Sequence, residues 1–208
     1  MRVRHDAGFE RRRLDVATAL AGLAILVACA AVARSGTVGP LERKAFEAIN
    51  GLPDALSPAM RAAQLLGILA VGPIVVIVAL LLRRWRLAIA AALVTVGKLA
   101  AERVVWQVVQ RDRPGTTIAD AIVRGGTPTT GLSFVSGHVV LVTGLAWVAT
   151  PYLHSWWRFA PWAVVGLVAF ARIYLGAHAP LDVLGGMGLG LLIGSLACLA
   201  VGVPRRSA

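Results

Sequence analysis

The sequence predicts an all-α membrane protein, a polytopic bundle of six transmembrane helices with one short interfacial helix. Two observations lead to this fold class. Of the 208 residues, 58% are hydrophobic and only 15% are charged, which is too apolar for a soluble domain of this length. The net charge of +11 comes from short basic clusters between apolar runs, a pattern typical of positive-inside topology. It therefore indicates a membrane partner and argues against nucleic acid.

The first apolar run covers residues 16–33 and follows a basic tail of residues 1–15, so it predicts a span that starts in the cytoplasm. A cleaved signal peptide, or a lipoprotein cleavage box that ends at Cys29, is an alternative interpretation of this run. Residues 35–61 mix apolar and charged side chains and predict a short helix on the membrane surface. Residues 62–82 carry no charge and predict the second span.

The third predicted span differs from the others because it carries Lys98, Glu102 and Arg103, so it must face the bundle interior or a polar cavity. Lys98 and Glu102 are four residues apart and are predicted to pair on one helix face. With six spans, eleven Lys and Arg residues fall inside and seven outside, so both termini are predicted to be cytoplasmic. Spans three to six cover residues 87–110, 138–153, 159–177 and 183–203.

The segment from Arg172 to Asp182 places an arginine, a histidine and an aspartate in an apolar background. Pro180 fits the first position of a new helix, which puts Asp182 in the first turn and His178 in the loop before it. The aspartate can then hold one ring nitrogen of His178 and leave the other free to react. A polar helix end with Asp182 as a cap is the alternative, but it does not explain Arg172 or His178.

A second polar group, Ser136-Gly137-His138, begins the fourth span. Ser136 occupies a predicted N-cap, so the following backbone N–H groups favour an anion at this helix end. The planar guanidinium groups of Arg113 and Arg172 match phosphate oxygens. Because these groups converge on the predicted outer face, the sequence indicates a site for phosphoryl transfer, with two histidines as nucleophile and acid.

These groups together resemble the motifs of the type 2 phosphatidic acid phosphatase superfamily of membrane lipid phosphatases. The resemblance covers residues 60–203 within a single predicted membrane-embedded domain of residues 1–208. It implies that the catalytic residue His178, oriented by the catalytic Asp182, attacks phosphorus to form a phosphohistidine, while His138 protonates the leaving oxygen. It implies no metal and no cofactor. The matching positions are Arg113, Pro114, Ser136, Gly137, His138, Arg172, His178 and Asp182.

The sequence departs from the family motifs at three positions. Val135 replaces a proline and Ala171 replaces a serine, which removes one hydroxyl donor to phosphate. Trp106 stands where the family has a phosphate-binding lysine, and its ring is equally compatible with packing against lipid or a substrate chain. Among further histidines, His5 and His154 are interpreted as solvated or interfacial.

The cation lost at position 106 leaves two predicted substitutes for binding the substrate phosphate. Arg103 lies one helical turn deeper, and Arg111 lies close to Arg113 in sequence. Lys98 is fifteen residues from Arg113, about 22 Å along a continuous helix, and is therefore expected to lie outside the site.

The predicted function is hydrolysis of a phosphomonoester or pyrophosphate on a polyprenyl or glycerolipid phosphate at the outer face of the cell membrane. A phosphotransferase on the same scaffold, which passes the phosphoryl group to an alcohol, is one alternative. A non-hydrolytic lipid-binding relative is another. Retention of His138, His178 and Asp182 argues against the second alternative.

Overall fold

The computed structural model describes residues 8–205, so Arg2, Arg4, His5 and Arg206 lie outside the described residues. The described chain is mainly helical, which confirms the predicted class. In chain order the elements are β1 Phe9–Glu10, α1 Arg13–Ala33, α2 Pro40–Asn50, α3 Ser57–Gln64, α4 Val71–Leu81, α5 Trp85–Val108, α6 Pro114–Thr117, α7 Gly137–Ala149, α8 Ala160–Tyr174, α9 Pro180–Val201 and β2 Val203–Pro204.

Helix α9 is the central helix of the bundle and packs against α1, α5 and α7. Its glycines allow this, because helices in a membrane approach closely where small residues meet. A side chain at Gly188 would place Cβ 2.7 Å from the carbonyl oxygen of Gly22 on α1. A side chain at Gly190 would place Cβ 2.6 Å from the carbonyl oxygen of Val140 on α7. At the start of both helices, the N–H of Ser136 donates to the carbonyl of Asp182 at 2.9 Å, which holds the beginnings of α7 and α9 next to each other.

Adding a methyl group at this helix crossing is expected to destabilise the fold. In Gly188→Ala the new Cβ meets backbone atoms of α1, which cannot move away as a flexible side chain could. We expect a loss of about 1–3 kcal/mol in the free energy of unfolding, as for other overpacked cores. Thermal unfolding in detergent measures it. Gly166→Ala on α8 is the matched control, because nothing lies within 4 Å of its Cβ, and equal stabilities of the two variants would contradict the packing argument.

Two helices, α1 and α9, are long and apolar enough to cross a membrane, and the bent pair α3 and α4 would make a third span. Charged residues interrupt α5, and α7 and α8 have only 13 and 15 residues. The structure therefore supports a membrane protein, whereas the count of six spans stays a prediction.

The predicted second span over residues 62–82 contains a break that the sequence analysis did not predict. The chain forms α3 and a 3₁₀ turn at Leu65–Gly67, then bends by 60° before α4 begins at Val71. Contact with α7 explains the position of the break, since a Cβ at Gly67 would lie only 2.9 Å from Cβ of His138. Pro73 marks the first turn of α4, where its missing N–H leaves no helical hydrogen bond broken.

The described ends of the chain meet in a short antiparallel ladder that the sequence analysis did not predict. Phe9 pairs with Pro204, and Glu10 pairs with Val203. Because β2 follows the end of α9, the two described ends lie beside each other, at the opposite end of α9 from its first residue, Pro180.

Helix α2 is the short amphipathic helix expected within residues 35–61. Phe46 is fully buried in the core, whereas Leu41 is exposed. At the end of the helix, Asn50 accepts a hydrogen bond from the N–H of Ile122 and donates to the carbonyl of Tyr174. The helix thus fixes the long loop before α7 against the end of α8.

Candidate active site

A cavity of about 410 Å³ opens between α5, the break after α3, the start of α7 and the loop before α9. Three cations and both predicted catalytic histidines lie on its wall. These five residues are Lys98, Arg113, His138, Arg172 and His178. The remaining lining residues come from the end of α3 and the break after it, from α5, from the loop before α7 and from the first residue of α7: Gln64, Leu65, Ile68, Glu102, Trp106, Gly126, Pro128, Leu132, Val135 and Gly137.

His178 lies in the loop before α9, and Pro180 is the first residue of that helix, as the sequence predicted. The histidine is buried, and its Nδ1 lies 3.0 Å from the carbonyl oxygen of Ser133. A carbonyl only accepts, so Nδ1 carries the hydrogen and Nε2 keeps a free lone pair. Burial lowers the pKa of His178 to about 4, so the ring is neutral at pH 7. A neutral Nε2 with a free lone pair has the form that a nucleophile needs.

Asp182 lies in the first turn of α9 as predicted, but it does not hold His178 directly. Its Oδ2 is 3.8 Å from Nδ1 of His178, which is too long for a hydrogen bond. The carboxylate instead accepts hydrogen bonds from the Ser133 hydroxyl and from the N–H of Ala179, the latter at 2.8 Å. Ser133 therefore connects the two residues, with its hydroxyl on Asp182 and its carbonyl on His178. The sequence analysis did not identify Ser133.

Arg111 is completely buried and lies between two carboxylates. Its Nη1 is 3.2 Å from Oδ1 of Asp182, and its Nη2 is 2.6 Å from Oε2 of Glu42 on α2. Glu42 also accepts a hydrogen bond from the N–H of Leu181. The predicted substitute cation thus does not line the cavity, and its guanidinium group fixes Asp182 and the start of α9 from behind.

Helix α7 begins as predicted, with Ser136 as its N-cap and Gly137 as its first residue. Gly137 and His138 line the cavity. Ser136 is fully buried and does not line it, and its Oγ has no hydrogen-bond partner within the described range 8–205. The start of α7 therefore presents the glycine and the histidine to the cavity, with the serine hydroxyl behind them.

Arg113 and Arg172 face the same cavity from different elements. Arg113 donates to the carbonyl of Ala177 at 3.0 Å, and Arg172 donates to the side-chain oxygen of Gln64. Neither contacts a carboxylate, and the Nε of each has no partner among the residues that the structure describes. Both guanidinium groups therefore retain hydrogen-bond donors and charge for an anion.

Lys98 lies on the cavity wall, so the expectation that it lies too far from Arg113 is wrong. That distance assumed one continuous helix, but α5 ends at Val108 and the chain turns away into an extended segment. The predicted pair is confirmed, with Nζ of Lys98 2.7 Å from Oε2 of Glu102. Arg103, the other predicted substitute, is exposed and does not line the cavity.

The sequence match agrees with this geometry. A sequence model described as the PAP2 superfamily matches residues 84–205, more than half of the chain, including every residue of the three motif groups. This chain belongs to the PAP2 superfamily.

Two solved structures share its fold. Aquifex aeolicus LpxE is 23% identical with a TM-score of 0.64, and the match covers 74% of this chain and 92% of that one. A transmembrane PAP2 type phosphatidylglycerolphosphate phosphatase from Bacillus subtilis has the same identity and TM-score, over 88% of this chain and 93% of that one. Lipid A 4'-phosphatase of Porphyromonas gingivalis is 34% identical over 62 residues, 29% of this chain and only about a quarter, 26%, of that protein.

The departures from the PAP2 motifs occupy different places. Val135 is buried and borders the cavity, whereas Ala171 is buried on α8 and is not among the lining residues. Trp106 lines the cavity with 37% of its surface exposed, so it contributes an aromatic edge and no charge. Within residues 8–205, no group of three His, Cys, Asp or Glu side chains is placed to hold a metal ion.

Proposed function

We propose that this protein is a membrane lipid phosphatase that works through a phosphohistidine on His178. One observation carries the proposal: two histidines share a single cavity with the guanidinium groups of Arg113 and Arg172. The cavity thus combines a nucleophile, a proton donor and fixed positive charge, which phosphoryl transfer requires.

In the first step, Nε2 of His178 attacks phosphorus, and the bond from phosphorus to the leaving oxygen breaks. His138 donates a proton to that oxygen. In the second step, water attacks phosphorus while His138 accepts a proton from it, the N–P bond breaks, and phosphate is released. Each step makes one bond to phosphorus and breaks another. The first step leaves phosphohistidine at position 178 and His138 without its proton, and the second step returns both histidines to their starting forms.

Charge develops on the phosphoryl oxygens during both steps, and preorganised donors stabilise it. Arg113 and Arg172 supply guanidinium donors, and the first N–H groups of α7, at Gly137 and His138, supply backbone donors. Ser136 precedes this turn, and its hydroxyl, which has no hydrogen-bond partner within residues 8–205, is a further candidate donor.

A lipid substrate fits the lining of the cavity. Leu65, Ile68 and Trp106 border it and remain 57%, 39% and 37% exposed, so they offer an apolar surface beside the charged wall. The names of two similar proteins refer to lipid phosphates, lipid A 4'-phosphate and phosphatidylglycerolphosphate. We infer a phosphomonoester or pyrophosphate on a polyprenyl phosphate or glycerolipid phosphate as the substrate class.

The direct test is phosphate release by purified protein in detergent from a panel of polyprenyl and glycerolipid phosphates. We expect release from at least one lipid phosphate in water alone. Release only when an alcohol acceptor is added, with a phosphorylated alcohol as product, would identify a phosphotransferase. Lipid binding without any turnover would identify a non-hydrolytic relative and contradict the proposal.

We also propose six membrane crossings, with cytoplasmic termini and the cavity at the outer face. The paired ends, β1 and β2, lie at the far end of α9 from the cavity, and α9 spans about 33 Å. The bias of basic residues toward the segments near these ends favours the cytoplasm for them.

Cysteine labelling in intact cells tests this orientation. Thr130→Cys, in the exposed loop near the cavity, is expected to react with an impermeant thiol reagent, and His154→Cys, at the opposite end of α7, is expected not to react. Both native cysteines are buried and give little background. Permeabilised cells are the control, in which both variants should react. The reverse pattern in intact cells would place the cavity in the cytoplasm.

A further inference from the structure

The cavity has a third cation that no motif of the family assigns. Lys98 lines it together with Arg113 and Arg172, although it lies two turns deeper on α5 than Trp106. Its side chain is mostly buried, 14% exposed, and its ammonium group is fixed at 2.7 Å by Glu102. A charged side chain within a membrane helix is energetically costly, so such residues usually pair with an opposite charge and lie at functional sites.

The Lys98–Glu102 pair lies directly against the first turn of α7. A Cβ on Gly137 would be 1.9 Å from Oε1 of Glu102 and 3.1 Å from Cε of Lys98. Only glycine leaves room for the pair at this position. The contact fixes the ammonium group beside the helix start that carries His138 and next to the backbone donors proposed to bind phosphate.

The charge on the cavity wall fits a phosphate when Lys98 is included. Three cations and the single carboxylate of Glu102 give a net charge of about +2, and a phosphomonoester carries about −1.5 to −2 at pH 7. An ammonium group has three donors, and Glu102 uses one of them. Within residues 8–205, Glu102 is the one ion-pair partner of this ammonium group, so its other donors can bind a phosphate oxygen without breaking the pair.

We propose that Lys98 is the third phosphate-binding cation of this site and performs the role of the lysine that Trp106 replaces. This inference rests on the proposed function and identifies how the substrate phosphate is held. Glu102 keeps the ammonium group at the cavity wall, and Lys98 donates to the phosphate. The wall position of Trp106 is then available to the apolar part of the lipid.

Activity measurements separate this role from a purely structural pair. Lys98→Met is expected to lower kcat/KM by about 10- to 100-fold, as for other lost hydrogen bonds to charged groups. Because Lys98→Met leaves Glu102 buried without a cation, Lys98→Met/Glu102→Gln is also made, in which neither side chain is charged. The double variant should fold and remain defective. Wild-type activity in the double variant would overturn the proposal, because Lys98 would then serve only to neutralise Glu102.

Two further variants sharpen the test. Trp106→Lys is introduced into Lys98→Met/Glu102→Gln, and we expect it to recover part of the lost activity, since it restores a cation at the family position. Arg103→Met, on the same helix but outside the cavity, is the control and should match the wild type. No recovery, or an equal loss in Arg103→Met, would contradict a specific role of Lys98.

A binding measurement distinguishes failure of this inference from failure of the proposed function. Inorganic phosphate and orthovanadate are expected to raise the thermal stability of the wild type, and to raise it far less in Lys98→Met/Glu102→Gln. Wild-type protein that binds phosphate but hydrolyses no lipid phosphate would contradict the proposed function alone. If phosphate and orthovanadate stabilise the wild type and Lys98→Met/Glu102→Gln equally, the result contradicts phosphate binding by Lys98 and leaves the proposed function untouched.

Discussion

Replacing His178 with alanine is expected to remove activity toward every phosphorylated substrate, including those with good leaving groups. The side chain supplies the nitrogen that is proposed to bond to phosphorus, and alanine has no lone pair to replace it. Losses on the order of 10⁴–10⁶-fold accompany removal of a nucleophile in other enzymes. Phosphate release from a lipid phosphate and from p-nitrophenyl phosphate measures the effect.

His138→Ala is the matched variant, because it removes the other histidine of the same cavity and leaves the nucleophile in place. General acid catalysis contributes about 10²–10⁴-fold. A p-nitrophenolate group leaves without much protonation, so turnover of p-nitrophenyl phosphate should persist while lipid phosphate turnover is mostly lost. The loss of activity in Asp182→Asn is expected to lie between the losses in His178→Ala and His138→Ala, because Asp182 acts on His178 through Ser133. Equal losses on both substrates in His138→Ala would contradict its role as the acid.

Replacing Arg111 with alanine is expected to destabilise the whole fold. The guanidinium group lies between the carboxylates of Asp182 and Glu42, so its removal leaves two carboxylates, each no more than 8% exposed, without this cation. Breaking a buried ion pair in this way costs about 3–5 kcal/mol. Thermal unfolding in detergent and the yield of folded protein measure the loss. Arg111→Lys should recover only part of the lost stability, because one ammonium group cannot reproduce the planar guanidinium group that contacts both carboxylates.

Arg34→Ala is the control for this prediction, since Arg34 is an exposed arginine and its loss should change stability by no more than about 0.5 kcal/mol. The measurement also separates two roles for Arg111. A direct phosphate contact would lower the affinity for phosphate and leave the fold stable. Wild-type stability of Arg111→Ala would therefore contradict the structural role that we assign to this residue.

Local sequence signals predicted the starts of two helices at the site correctly. Pro180 and Asp182 marked the first turn of α9, where the fixed φ of proline fits and the Asp182 carboxylate accepts the N–H of Ala179. Ser136 marked the N-cap of α7 by its residue type, although its hydroxyl makes no capping hydrogen bond within residues 8–205. The pairing of Lys98 with Glu102 followed from helical spacing alone. Each of these predictions depends on neighbours within four residues.

Features that depend on distant parts of the chain were not predicted. Hydropathy showed that residues 62–82 are apolar, but it carries no information on the direction of a helix axis. The 60° bend beside His138 was therefore not predicted. Lys98 was expected outside the site because α5 was assumed to continue to Arg113, but the helix ends at Val108 and both residues line the cavity. Ser133 lies 45 residues from His178 in sequence, and it contacts the histidine through a backbone carbonyl. Every residue type has such a carbonyl, so the residue pattern could not predict this hydrogen bond.

Trapping the proposed phosphoenzyme tests the central claim most directly. Wild-type protein is mixed with radiolabelled lipid phosphate, quenched in denaturant at alkaline pH, and examined for protein-bound phosphate that is lost in acid. We predict acid-labile label on the wild type and on His138→Ala, and none on His178→Ala. Label that persists in His178→Ala and disappears in His138→Ala would reverse the two roles and contradict the mechanism derived from this cavity.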